Sequence, residues 1–222
     1  MLLDVDGTLV DSNDAHARSW VETLAEFGHR VPYERVRALI GEGGDKLLPQ
    51  AIGVGKETPL GRAIAAKRRE RFLRDYVPSL RPQPGARELL AELKRRGFER
   101  VVATSAEDEE LRPLLAVLGA EDLIDARTSS SDAARSKPDP DIVRAALERS
   151  GRRPDEAMML GDTPYDVAAA ARAGVGTIAL RCGGWPDERL AGALAIYDDP
   201  ADLLRHLDRS PLAVEDRPSA QT

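Results

Sequence analysis

Between Ala86 and Leu180 the sequence alternates four times between a stretch of helical periodicity and a short apolar run. Helix signals at Ala86–Arg96, Glu109–Leu118, Pro140–Ser150 and Asp166–Ala173 precede strand signals at Arg100–Ala103, Ala126–Ser129, Ala157–Leu160 and Gly176–Leu180. Alternation of this kind predicts a parallel sheet with helices on both faces, a doubly wound α/β fold. A buried run at Leu2–Asp6, ending in Gly7-Thr8, supplies a first strand. A weaker strand at Ala195–Tyr197 and a helix at Ala201–Leu207 add an edge.

The block between the first strand and this alternation has another texture. Ala17, Trp20, Val21, Leu24 and Phe27 recur at the i, i+3, i+4 spacing of an amphipathic helix, and Gly28 stands where it should stop. Further helical patterns follow at Val36–Ile40, Leu47–Ile52 and Ile64–Leu73, with Gly41-Glu42-Gly43-Gly44 as a loop between them. Pro78, Pro82 and Pro84 then mark a return linker. The expected organisation is a core of residues 1–13 and 78–209, an inserted helical domain at 14–77, and a loose tail at 210–222.

With 42% apolar and 32% charged residues, the chain has the composition of a soluble globular protein. No apolar run approaches the ~18 residues that would span a bilayer. The start, Met1-Leu2-Leu3-Asp4, lacks a secretory signal's basic region, and the single Cys182 fits a reducing compartment, so a cytoplasmic location is expected. A formal net charge of -6 argues against general attraction to nucleic acid, and no feature points to a protein partner. The densest basic run, Lys67-Arg68-Arg69 with Arg71, reads as a solvated helix face.

Four polar motifs follow apolar runs or lie close behind them. In an open parallel sheet, ligands bind beyond the carboxyl ends of the strands, so four such motifs converge on one crevice. Asp4-Val5-Asp6-Gly7-Thr8 places two carboxylates beside a buried run, which is costly unless something binds them. Thr104-Ser105 offers hydroxyls and backbone N–H groups to an anion. Lys137-Pro138 offers a compact positive charge. Gly161-Asp162-Thr163-Pro164-Tyr165-Asp166 adds two more carboxylates at a helix start. As a helix N-cap, Asp166 or Asp162 would need no ligand, but that reading does not explain both together with Asp4 and Asp6. Oxygen-only ligands without His or Cys indicate a hard ion such as Mg2+.

In order and spacing, Asp4-Val5-Asp6-Gly7-Thr8-Leu9, Thr104-Ser105, Lys137-Pro138 and Gly161-Asp162 through Asp166 resemble the four motifs of the haloacid dehalogenase superfamily. The resemblance covers residues 1 to about 207. The helical block is similar to the cap domain of the branch that includes phosphoglycolate phosphatases and β-phosphoglucomutases. The resemblance implies a Rossmann-like core and an Mg2+-dependent phosphatase acting on a small phosphate ester. It implies that Asp4 attacks phosphorus and that Asp6 serves as acid and base. Asp4, the Asp6 backbone carbonyl and Asp162 would hold the metal, with Asp166 completing the shell. Thr104 and Lys137 would hold the phosphoryl group, with Ser105 beside it. In the cap, His16, Glu42 and Lys46 are candidate substrate contacts. A β-phosphoglucomutase-like phosphotransferase is the alternative, but Gly43 and Gly44 stand where that group tends to carry a basic residue. A non-catalytic phospho-receiver module is a third reading, and the inserted block and Asp6 speak against it.

Overall fold

The structure, a computed structural model, describes residues 1–213. Six strands, β1 (Leu2–Leu3), β2 (Val101–Ala103), β3 (Ala126–Thr128), β4 (Met158–Gly161), β5 (Gly176–Leu180) and β6 (Ala195–Tyr197), form one sheet. Their order is β3-β2-β1-β4-β5-β6, and every pairing is parallel. The expected doubly wound α/β architecture is therefore present.

Side chains alternate across the strands, so neighbours feed opposite layers. Leu3, Val102, Leu160 and Ile178 join Leu89, Leu90 and Leu114 on one face. Leu2, Val101 and Met159 join Ile142, Val143 and Ala170 on the other. The covering helices are α5 (Ala86–Arg95), α6 (Asp108–Leu118), α7 (Asp141–Ser150), α8 (Pro164–Arg172) and α9 (Pro200–Arg205), which follow four inserted helices in the chain.

β1 is shorter than the Leu2–Asp6 run suggested. The Asp4 amide still donates to the Leu160 carbonyl at 3.0 Å, but the Val5 carbonyl accepts from Leu9 and Val10 at 2.9 and 3.0 Å. The chain thus leaves the ladder at the first carboxylate. Gly7 makes the turn at φ 78°, a left-handed conformation that favours glycine.

Between β1 and α5 lie α1 (Asn13–Glu26), α2 (Tyr33–Arg37), α3 (Gly44–Ile52) and α4 (Pro59–Arg71). They share an apolar cluster of their own, built on Ala17, Trp20, Leu24, Val36, Leu48 and Ile64. The two connections to the sheet pair with each other. The Asp11 amide donates to the Arg81 carbonyl, and the Gln83 amide to the Leu9 carbonyl, each at 2.9 Å. Phe72, Leu73 and Tyr76 pack into the main core, so the block's last turn belongs to the joint. Among the described residues no helix is long and apolar enough to cross a membrane.

The tail expectation needs correction at its start. Leu212 is buried in the main core, and the Ser210 hydroxyl donates to the Leu207 carbonyl at 2.8 Å. An apolar side chain two residues past the expected boundary is enough to hold the chain down. Residues 214–222 of that expectation lie outside the described residues.

Leu89 has no exposed surface and sits where α5 meets the sheet layer. Leu89→Ala should lower the unfolding free energy by about 2–5 kcal/mol through lost burial and a residual cavity, read from urea denaturation.

Candidate active site

The crevice lies beyond the carboxyl ends of β1, β2 and β4, with the inserted helices above it. Asp4 follows β1, Thr104 and Ser105 follow β2, and Asp162 follows β4. Asp166 is on the first turn of α8, and Lys137 lies on the loop before α7. Asp4, Asp162 and Asp166 are all buried, and each presents an oxygen within 4.8 Å of the others'. The Lys137 ammonium reaches Asp4 Oδ1 at 2.6 Å and Asp166 Oδ1 at 2.7 Å.

Three carboxylates against one ammonium leave two negative charges uncompensated in a buried space. The consequence appears in the acidities. Burial, with the nearby Asp166 and Asp6 and despite Lys137, pushes the Asp4 carboxyl up to about 7. Burial and repulsion from Asp4 and Asp166 push Asp162 upward as well. Burial also disfavours the Lys137 ammonium, but Asp166 and Asp4 outweigh it and keep the lysine charged. The Thr8 hydroxyl lies 2.7 Å from Asp162 Oδ1 and 3.1 Å from Asp4 Oδ2, yet it has one proton to give. A divalent cation matches this donor set in charge, and hard oxygen ligands match it in type. The residues present fit such an ion.

The ligands are held from behind. The Asn13 amide donates to Asp162 Oδ2 at 2.7 Å, while its own Oδ1 is buried without a partner among the described residues. A Cβ on Gly183 would stand 2.0 Å from the same Asp162 oxygen, so only glycine lets that loop close over it. Thr163 caps α8, and Asp166 returns the favour by accepting from the Thr163 amide and hydroxyl at 3.0 and 2.6 Å. Asp166 is therefore both helix-capping partner and site residue.

Asp6 faces another way. Its carboxylate lies outside the three-carboxylate cluster, so any part it takes in holding a metal falls to its backbone carbonyl. Ser12 Oγ and His16 Nε2 both reach Asp6 Oδ1 at 2.6 Å, leaving Oδ2 to the cavity. Burial would raise this carboxyl, but His16 and Ser12 outweigh it and hold Asp6 below the usual carboxylate range. His16 Nδ1 meets an Arg68 guanidinium nitrogen. Arginine offers no acceptor, so Nδ1 accepts and the proton sits on Nε2, directed at Asp6. Arg68 also pairs with Glu110 on α6 and lies over the Phe72 ring at 4.8 Å. Phe72 stacks on His16 with ring centroids 4.0 Å apart.

A cavity of about 80 Å³ opens between this floor and the helical block. Asp4, Asp6, Thr104 and Ser105 line it from below, and His16 from the helical block. Thr104 Oγ1 accepts from the Ala106 amide at 3.1 Å, an ordinary hydroxyl turn, whereas Ser105 Oγ is buried with no partner among the described residues. Glu42 lines the cavity too, with Gln50 donating to it at 2.5 Å. Lys46 does not line it. Its ammonium pairs with Asp139 on the core, so the expected substrate contact is a contact between cap and core. The cations that do line the cavity, Lys56 and Arg68, were missed in the sequence. Arg68 is buried, contrary to the solvated face read from its basic neighbours. A signal was present: Gly61, Ile64 and Arg68 fall at helical spacing on the buried side of α4.

Comparison with known proteins places most of the chain among related sequences and folds. The model of the haloacid dehalogenase-like hydrolase family matches residues 1–174. A phosphoglycolate phosphatase from Rhodospirillum rubrum is 36% identical over 214 residues, spanning 91% of this chain and 88% of its own. A hydrolase from Pseudomonas syringae superimposes with a TM-score of 0.86 at 31% identity, covering 94% of this chain and 97% of that one. A putative β-phosphoglucomutase from Bacteroides vulgatus gives 0.84 at 26% identity, covering 96% and 89%.

Asn13→Ala removes a hydrogen bond to Asp162 from behind. It should weaken divalent-cation binding by about 10- to 100-fold, read by isothermal titration calorimetry, with the fold retained.

Proposed function

The chain belongs to the haloacid dehalogenase-like hydrolase family, and on that premise we propose that it is an Mg2+-dependent phosphatase that hydrolyses a small phosphomonoester through an aspartyl-phosphate on Asp4. The observation that carries this reading is the buried set of Asp4, Asp162 and Asp166 with a single compensating lysine. A carboxylate oxygen of Asp4 attacks phosphorus, the P–O bond to the leaving alcohol breaks, and Asp6, which takes up a solvent proton on Oδ2 when the anionic ester binds beside it, passes that proton to the departing oxygen. Water then attacks the phosphorus of the aspartyl-phosphate and gives its proton to Asp6. Asp4 is regenerated and inorganic phosphate leaves.

The surroundings support these roles. Asp6 Oδ2 is left to carry the transferred proton because Ser12 and His16 occupy Oδ1. The unpartnered Ser105 hydroxyl and the Thr104 turn, both lining the cavity, support a role in receiving phosphoryl oxygens, and the Lys137 ammonium beside Asp4 supports one in offsetting their charge. Mg2+, held by Asp4, Asp162, Asp166 and the Asp6 carbonyl, would neutralise charge that develops on the phosphoryl oxygens. A phosphomutase must also hold a second phosphate. The cations lining this cavity are already engaged, Lys56 with Glu107 and Arg68 with Glu110, which favours hydrolysis of a monophosphate. The relatives' names make phosphoglycolate the first ester to try, in a panel with sugar phosphates and nucleotides.

Asp4→Asn should lose measurable turnover of p-nitrophenyl phosphate while keeping its fold, since an amide is no nucleophile here. Asp6→Asn should be severely slowed yet still accumulate some phosphorylated Asp4, detectable by mass spectrometry. Retained turnover in Asp4→Asn would overturn the covalent mechanism. Chelation with EDTA should abolish phosphate release, and added Mg2+ should restore it.

A further inference from the structure

Lys46, which with Glu42 was expected to read the substrate, grips the core instead, and Gly43 and Asp45 beside it also hold the core, while Gly43 and Gly44 still line the cavity. The Gly43 amide donates to Ser136 Oγ at 3.0 Å. The Ser136 amide donates to Asp45 Oδ2 at 3.2 Å. The Lys46 ammonium pairs with Asp139. These contacts fall immediately before Lys137 and two residues after it. The fit is close: a Cβ on Gly43 would stand 2.7 Å from the Ser136 Cβ, so this approach requires glycine. Ser136 itself is buried in the closed arrangement. Other cations near Asp139, Arg135 at 3.4 Å and Arg172 at 3.9 Å, lie further off than Lys46.

Lys137 must keep its ammonium between Asp4 and Asp166, yet it sits on a loop rather than on a strand or helix. Something has to fix that loop's backbone, because sub-ångström placement of a charged group strongly affects rate. We propose that Gly43, Asp45 and Lys46 form a positioning clasp for Lys137: closure of the helical block seats the lysine, and the block's own loop is the seat. Substrate choice then falls to the side chains that line the cavity, Trp20, Ile40, Lys56 and Arg68 among them. This inference rests on the phosphatase reading above. It differs from a simple latch, which would hold the lid shut without touching the lysine loop. Tyr165 provides such a latch for comparison, its hydroxyl donating to the Ala38 carbonyl at 2.5 Å.

The test is steady-state kinetics of Lys46→Met, Lys46→Arg, Ser136→Ala and Tyr165→Phe on the ester panel and on p-nitrophenyl phosphate, with inhibition by inorganic phosphate measured alongside. Lys46→Met and Ser136→Ala should lower kcat about tenfold or more on every ester. They should weaken inhibition by phosphate and leave the substrate ranking unchanged. Lys46→Arg, which keeps the ion pair, and Tyr165→Phe should stay within about twofold of the parent. Thermal melts establish that each variant is folded, and the Lys46 pair carries the comparison if Ser136→Ala is not. A changed ranking in Lys46→Met with unchanged p-nitrophenyl phosphate turnover would return the loop to substrate reading. Equal losses in Tyr165→Phe and Lys46→Met would reduce the clasp to a latch. A parent inactive on the whole panel with Mg2+ present would instead overturn the phosphatase reading, and the clasp's catalytic role with it.

Discussion

Two uncompensated negative charges at the ends of β1 and β4 govern much of what surrounds them. Isolated buried carboxylates are among the most expensive things a fold can contain. Here they are tolerated because the sheet delivers them together, with one lysine between two of them and neutral donors on the rest. Each neighbouring feature is a response to that expense. The chain abandons its ladder after Asp4, Gly7 turns it at once, Thr8 and Asn13 donate to Asp162, and Gly183 closes over the same carboxylate without a side chain. What remains is an excess of negative charge that a divalent cation matches.

The elements with strong local patterns were legible. Gly176–Leu180 and Ala195–Tyr197 were read with the bounds they have, and three of the four inserted helices followed from apolar spacing, whereas α2 starts and ends earlier than the Val36–Ile40 pattern, which shares only Val36 and Arg37 with it. The convergence of the four motifs on one crevice also followed from topology, since a parallel sheet puts all its carboxyl ends on one side. Less legible was anything decided by a distant partner. Lys46 and Arg68 exchange the surroundings expected of them: the lysine docks on Asp139, and the arginine is buried among His16, Phe72 and Glu110. Asp139, His16 and Glu110 all lie far from the lysine or arginine they meet, and a charge on a helix does not announce which of many opposite charges it will pair with. Asn13 was hidden for a related reason. At the start of a helix it reads as an end signal, and nothing local reveals an aspartate 149 positions later.

The closed arrangement ties the helical block's shape to the acid–base group. From Glu110 on α6, through Arg68 and His16, an unbroken set of buried contacts ends on Asp6. Arg68 and His16 belong to the inserted block, while Glu110 and Asp6 belong to the sheet and its helices. Fixing His16 as the Nε2–H tautomer therefore depends on both parts being in register. On the opposite wall, Lys56 and Arg69 both pair with Glu107 and fasten the block to the start of α6. The groups that would act on a substrate between these walls are oriented by the same contacts that bring the walls together.

The paired connections, Leu9–Asp11 against Arg81–Gln83, carry an implication for how such a chain can vary. Two independent tethers would each tolerate a lost or added residue. These share hydrogen bonds in antiparallel register, and the Gln83 side chain also donates to the Gly7 carbonyl at 3.1 Å. A residue inserted on one side would break the match with the other and shift the turn that carries Asp6. Length changes in descendants of this sequence should therefore collect in the turns between α2, α3 and α4 and be absent from the strap. The inserted block is thus an exchangeable part on a mounting of fixed gauge.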